Sequence, residues 1–279
     1  VTSRPDAVLI PHASGLVSGA MEESFLDLRR AISEAREGFA QSRPGLVVVT
    51  CSELLSVGPF RLLSASHYSG TLGGGSVPDI RYSHDGVDTE LARNLVRRLR
   101  LSGVDSETGF YEPLDFGTAV ALHHLFPAGG VPVLPVAVPS GALRPGFRFG
   151  SVLAELLRER EIDALWIAAG ALSHRISKEP DLIREEGESF DRELLDSLGA
   201  GQIDPLVDLT ARTLSAVAAD AGLAHIAPLL GFVGEGFRAK VLAYSGIFGA
   251  GNAVVTFRSG GRRTQELEVV GVGSKGVPS

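Results

Sequence analysis

The stretch Ala168-Ala169-Gly170-Ala171-Leu172-Ser173-His174-Arg175-Ile176 decides how this chain is read. It grows out of an apolar run, Ala164–Ala168, that reads as a buried strand. The chain then turns on Gly170 and presents Ser173, His174 and Arg175 where that strand ends. In open α/β sheets, ligands bind outside the carboxyl ends of the strands. A histidine placed there can trade protons near neutral pH. A histidine met alone at such a place more often serves structure, capping a helix or bonding a carbonyl. His174 gains weight because other polar residues take the same kind of position.

Ala7–Ile10 reads as a first, fully buried strand, and it ends in Pro11-His12-Ala13-Ser14-Gly15. Leu46–Thr50 reads as a second, apolar throughout, as in sheets covered on both faces. Cys51-Ser52-Glu53 follows it directly, which brings Glu53 near His12 if the two strands are neighbours. Apolar spacing predicts helices over Glu22–Phe39, Asp88–Leu101, Phe149–Glu159 and Glu185–Leu198. Pro205–Ala221 reads as one strong helix, with Asp204 as N-cap and Gly222 at its end. A further short helix opens at His225. Val131–Val138 is another strand, and Pro132 and Pro135 imply an edge position or an irregular start. Ala253–Phe257 and Leu267–Val270 read as closing antiparallel strands. Val57–Ser83 reads as an irregular loop over a pocket, with Tyr68 shaping the entrance. Its Gly73-Gly74-Gly75 run lacks the Lys-Ser/Thr of a phosphate loop. The pattern predicts one α/β domain over residues 1–279: a mixed, mostly parallel central sheet flanked by helices on both faces, with a frayed tail over about 271–279.

A net charge of -7 argues against a nucleic-acid surface, which needs a basic patch. Arg93, Arg97, Arg98 and Arg100 sit together on one predicted helix and read as a solvated face. The single cysteine, Cys51, excludes a disulfide framework and a thiolate cluster, and points to the cytosol. Val1–Pro5 lacks the apolar core of a signal peptide, and no apolar run is long enough to span a membrane. The expected partner is therefore a small molecule, not nucleic acid or membrane.

Two histidines and one carboxylate on the walls of a pocket form the facial triad of non-haem Fe(II) oxygenases. His12, His225 and Glu53 can supply that set, with His174 as the general base. His123 and His124 are neighbours on a helix, about 100° apart, so both cannot face one site. His67 and His84 could substitute as ligands but read as surface histidines.

These residues carry a resemblance. Pro11-His12-Ala13, Leu114-Asp115-Phe116-Gly117-Thr118, Gly170-Ala171-Leu172-Ser173-His174, Phe190-Asp191, Ala224-His225 through Leu230, and Tyr244–Gly251 occur in the order of a known family. The chain resembles the class III (LigB-type) extradiol ring-cleavage dioxygenases, a superfamily that includes DOPA dioxygenases and Memo-like proteins. The resemblance implies Fe(II) held by His12 and His225, and His174 as the acid/base residue. It implies a catechol-type aromatic substrate cleaved with O2. Ser52, Phe116, Ser173 and Tyr68 would then line the pocket. Two departures stand out. The family's second metal histidine, just after the second strand, is absent here, and Glu53 is the substitute. The histidine of the family's Asp-His-Gly motif is Phe116. An incomplete ligand set binds Fe(II) poorly, because Fe(II) is weak in the Irving–Williams order. Zinc or a metal-free site are therefore alternatives. So is a non-catalytic or repurposed member, acting as a binding module or as the partner of a related subunit. A homodimer is compatible with the Gly-rich, apolar C-terminal third. A metal-independent hydrolase using Ser173 or Cys51 with His174 fits worse: Ser173 and His174 are adjacent, and no Gly-x-Ser-x-Gly elbow is present.

Overall fold

The computed structural model describes residues 6–19, 21–40, 43–74, 77–110, 113–174 and 185–260. The apolar runs become strands because each is flanked by turn residues and can bury both of its faces. In chain order they are β1 (Ala7–Ile10), β2 (Leu46–Ser56), β3 (Phe60–Leu63), β4 (His67–Gly74), β5 (Val77–Asp85), β6 (Ser106–Gly109), β7 (Val133–Pro139), β8 (Ala164–Ala169), β9 (Arg238–Ile247) and β10 (Ala250–Arg258). Eight of them form one sheet in the order β6-β3-β7-β2-β8-β1-β10-β9. The run β7-β2-β8-β1 is parallel, and so is the β3–β6 pair. The β3–β7, β1–β10 and β10–β9 pairs are antiparallel. Among the described residues β4 and β5 pair with each other, as a separate ribbon.

Helices cover both faces. The period of two along a strand sends Val8, Ile10, Val49, Ile167 and Ala169 to one side. There they pack under α1 (Glu23–Ala40) and α3 (Phe116–Leu125), together with Tyr68 and Tyr82 of the ribbon. Ala7, Leu9, Val48, Trp166 and Ala168 face the other way. They meet α2 (Thr89–Leu101), α4 (Leu143–Glu159), α5 (Glu185–Gly199) and α8 (Ile226–Val233). The fold is thus one α/β domain with a mixed, mostly parallel sheet between helical layers, as the sequence implies.

Several elements differ from expectation. β2 runs past Thr50 to Ser56, but not regularly. Thr50 pairs with Val136 and Leu55 with Val138, so residues 51–54 bulge out opposite Ala137. β7 is interior, not an edge. Its antiparallel partner β3 pairs only at Val136 and Ala137, so Pro135 falls where that ladder has not begun. The expected loop over residues 57–83 is β3 and most of the β4–β5 ribbon. The expected long helix from Pro205 is broken into α6 (Asp204–Val207), α7 (Ala211–Ala216) and a 3-10 turn, Asp220–Leu223. Thr210 starts a new helix there by accepting a hydrogen bond from the Thr213 N–H at 3.1 Å. Ala218, Ala221 and Leu223 then take left-handed backbone angles that no helix continues through. The proposed strand Leu267–Val270, the tail, Val1–Pro5, and Arg175 and Ile176 lie outside the described residues.

Candidate functional site

Three parallel strands end side by side at one rim of the sheet, and each delivers polar residues there. β1 leads into His12, β2 carries Cys51, Ser52 and Glu53 in its bulge, and β8 leads into Gly170 and Ser173. β1 and β2 are not neighbours, because β8 lies between them. His12 and Glu53 nevertheless meet, with Nε2 3.2 Å from Oε1. The bulge explains this reach: extra residues in one strand re-aim side chains. The other Glu53 oxygen, Oε2, accepts from the Gly117 N–H at 3.0 Å. It thereby takes up a free donor of the first turn of α3.

Asp115 is the N-cap of that helix, and its Oδ1 accepts from the Thr118 N–H at 2.9 Å. Its Oδ2 is buried with no hydrogen-bond partner, and so is Nδ1 of His12. The donor atoms of Cys51, Glu53 and Asp115 all lie within 4.8 Å of one another. Gly117 makes this approach possible. A Cβ there would stand 2.4 Å from Cys51 Sγ and 3.2 Å from His12 Cγ.

The charges in the cluster hold one another. Burial lowers the pKa of His12, but the Glu53 hydrogen bond and charge, with Asp220 and Asp115 behind, overcome it and raise the value above normal. The His12 hydrogen bond holds the Glu53 carboxyl below its usual range, against the opposing effect of burial. Burial, helped by the Asp115 charge, pushes the Cys51 thiol well above normal.

His225 approaches the same rim from the opposite face of the sheet. It immediately precedes α8, and its carbonyl accepts from Thr50 Oγ1 at 2.7 Å. Thr50 Oγ1 in turn accepts from Trp166 Nε1 at 3.0 Å. The His225 ring is fully buried against the Ala171 backbone, and neither nitrogen has a side-chain partner. It fits because Gly170 has no side chain: a Cβ there would lie 2.4 Å from Nε2. Burial lowers its pKa to about 4, against the pull of Asp220. Asp220 itself accepts from the Ala171 N–H at 2.8 Å and so braces the turn after β8.

His174 is exposed, with Nδ1 3.3 Å from the Ala218 carbonyl oxygen. Ser173 beside it is fully buried. Its hydroxyl lies 3.1 Å from Asp191 Oδ2 and 3.3 Å from the Gly187 carbonyl. Tyr244 donates to the same Asp191 oxygen at 2.9 Å. Burial raises the Asp191 pKa to about 6, although both hydroxyls oppose it. A cavity of about 800 Å³ adjoins the far side of Ala218, lined by Leu143, Pro145, Val207 and Leu214, with Arg144 and Asp208 paired at its edge.

Of the residues singled out from sequence, His12 and Glu53 are in contact, with Ser52 buried in the same bulge and Phe116 half-buried as the first residue of α3. His225 and His174 share the rim, but on the α8 side. Tyr68 is elsewhere: it is fully buried in the core and donates its hydroxyl to the Leu63 carbonyl at 2.9 Å. His67 is occupied on the ribbon, 3.4 Å from Asp85 and 3.2 Å from Ser83. His84 is buried rather than on the surface. Sequence reasoning weighed Cys51 only as a hydrolase nucleophile, named Asp115 only within a motif, and gave Asp220 no role. The signal for Asp115 was present, since Asp three residues before Thr118 is an N-cap pattern.

The donors fit a divalent cation. Imidazole and carboxylate groups converge at the rim, and buried nitrogen and oxygen atoms there have no hydrogen-bond partner. The Clostridium acetobutylicum protein CA_C1420 is 32% identical over 124 residues, which are 44% of this chain and 26% of that protein. This chain thus matches about a quarter of that relative's length. The crystal structure of an uncharacterized Escherichia coli K12 protein, JW3007, superposes with a TM-score of 0.66 at 16% identity, covering 91% of this chain and 100% of that one. That likeness establishes the fold. The family model for the catalytic LigB subunit of aromatic ring-opening dioxygenase matches residues 6–256, and the chain belongs to that family.

Proposed function

We propose that this chain is a metal-dependent extradiol-type dioxygenase, opening a catechol-type aromatic ring with O2. Its metal is Fe(II), held by His12, Glu53 and His225. The observation that carries the reading is the His12–Glu53 contact at 3.2 Å, with a buried His225 ring at the same rim that has no side-chain partner. A ferrous ion bound there supplies a template for the two reactants and stabilises anionic oxygen.

The chain's own residues supply the rest. His174 donates Nδ1–H to the Ala218 carbonyl, which leaves Nε2 as the basic nitrogen, turned outward to take a phenolic proton. Ser173, tied to Asp191, fixes the backbone on which His174 sits. Phe116 and the buried Ser52 give the aromatic ring a mostly apolar wall.

Anaerobic reconstitution with Fe(II), followed by metal analysis and O2 uptake with catechols, tests the reading. Retained iron and catechol-dependent O2 uptake are expected, with both lost in Glu53→Ala. His174→Gln should keep the iron but lower kcat by about 10²–10⁴-fold. A second reading, a non-catalytic partner subunit, is favoured by Phe116 standing where the family has a histidine. It predicts that no metal is retained and that Glu53→Ala changes nothing.

A further inference from the structure

The cluster facing α3 offers more donors than His12 and Glu53. We propose that the divalent metal of this site is ligated by the Cys51 thiolate together with Glu53 and Asp115, so that sulfur takes the place of the histidine missing after β2. The inference rests on the metal-dependent reading above and changes its donor set from nitrogen and oxygen to one that includes sulfur.

Five observations carry it. The three donor atoms already lie within 4.8 Å of one another, close to what a cation with bonds of about 2.0–2.3 Å gathers around itself. Cys51 is fully buried and forms the floor, while Glu53 stands at the mouth. Asp115 uses one oxygen to cap α3, its carboxylate faces the Cys51 thiol as a hydrogen-bond acceptor, and its Oδ2 is buried with no further partner. The neighbouring His12 likewise keeps a buried Nδ1 with no partner. Groups left this way are unfavourable, and a cation would satisfy them. Gly117, finally, keeps open the space over Sγ that any side chain would fill.

Binding displaces the thiol proton: Cys–SH and M²⁺ give Cys–S–M⁺ and H⁺, with the proton leaving to solvent past Glu53. A thiolate favours zinc, ferrous iron or cobalt over magnesium and calcium.

Anaerobic titration of the metal-free full chain with Co(II) tests this. Cys51 is the chain's single cysteine, so a thiolate-to-cobalt charge-transfer band in the near ultraviolet can come from no other residue. The expected result is that this band grows in step with the visible d–d bands. Cys51→Ser should abolish it and weaken cobalt binding about tenfold or more. Asp115→Asn should keep it and weaken binding about tenfold. Bound cobalt with d–d bands but no charge-transfer band overturns the inference and leaves the metal-dependent reading standing. No bound cobalt overturns both. If Cys51→Ser does not fold by circular dichroism, the wild-type band and the Asp115→Asn titration decide.

Discussion

Gly117 holds its place because His12 and Cys51 leave no room for a side chain. Gly117→Ala should therefore disturb the His12–Glu53 contact and weaken metal binding about tenfold or more. The strain should cost about 1–3 kcal/mol in stability, readable by calorimetry with zinc and by urea unfolding. Asp191 gives a prediction of a different kind. Its pKa rises from 3.8 to about 6 on folding, so the native state holds the proton more tightly than the unfolded chain. The contribution is fully present below about pH 4 and is lost as pH rises through 6. Asp191→Asn keeps an acceptor for Ser173 and Tyr244 but does not titrate. Relative to wild type, the variant should gain on the order of 3 kcal/mol between pH 4 and pH 7, measured by unfolding curves at both. A flat difference would remove the buried carboxylate from the account. Which residues gather at the rim was legible for His12, Glu53, His174 and His225, because each follows an apolar run. Cys51 was read as a candidate nucleophile and not as a ligand, because a single cysteine shows no metal-ligand spacing. Asp220 was hidden inside what reads as helix.

The turn after α7 is the element that departs most from its sequence. Alanines there suggest a continuing helix, yet Ala218 and Ala221 stand at φ of 48° each. Such angles are uncommon for any residue with a Cβ, and worst for β-branched ones. The surroundings over-determine the turn: Asp220 N–H donates to Leu172, and the Ala221 carbonyl accepts from Gly141 N–H. Ala221→Val should then cost about 1–3 kcal/mol and, by loosening Asp220 and Ala218, lower kcat more than it changes KM. Ala221→Gly should be neutral or slightly stabilising. Thermal unfolding of the two variants side by side checks the sign. The strands were legible because burial on both faces writes continuous apolar runs. The bulge in β2, the interior place of β7 and the broken helix were not, since tertiary pairing and capping decide them.

Across the whole molecule, acid should be the weak point. His225 is buried and His124 half-buried, and desolvation lowers the pKa of each from 6.5 to about 4. For a depressed histidine the native state binds fewer protons than the unfolded chain. Its stabilising share is present above 6.5 and is lost as pH falls toward 4. Two such histidines outweigh the opposite trend of Asp191, so the Tm should fall on acidification through this window. A second feature acts at this scale. Among the described residues the sheet ends on one side at β9, ten residues long and paired there to β10. An unpaired strand of that length is a template onto which another chain can zip. Arg238 and Lys240 are exposed along it, and Lys240 is held 2.7 Å from Glu34. Those charges act as a guard rail. Replacing both with threonine should leave the monomer folded but turn its solutions cloudy, and light scattering would record the growth of fibrous, edge-to-edge assemblies.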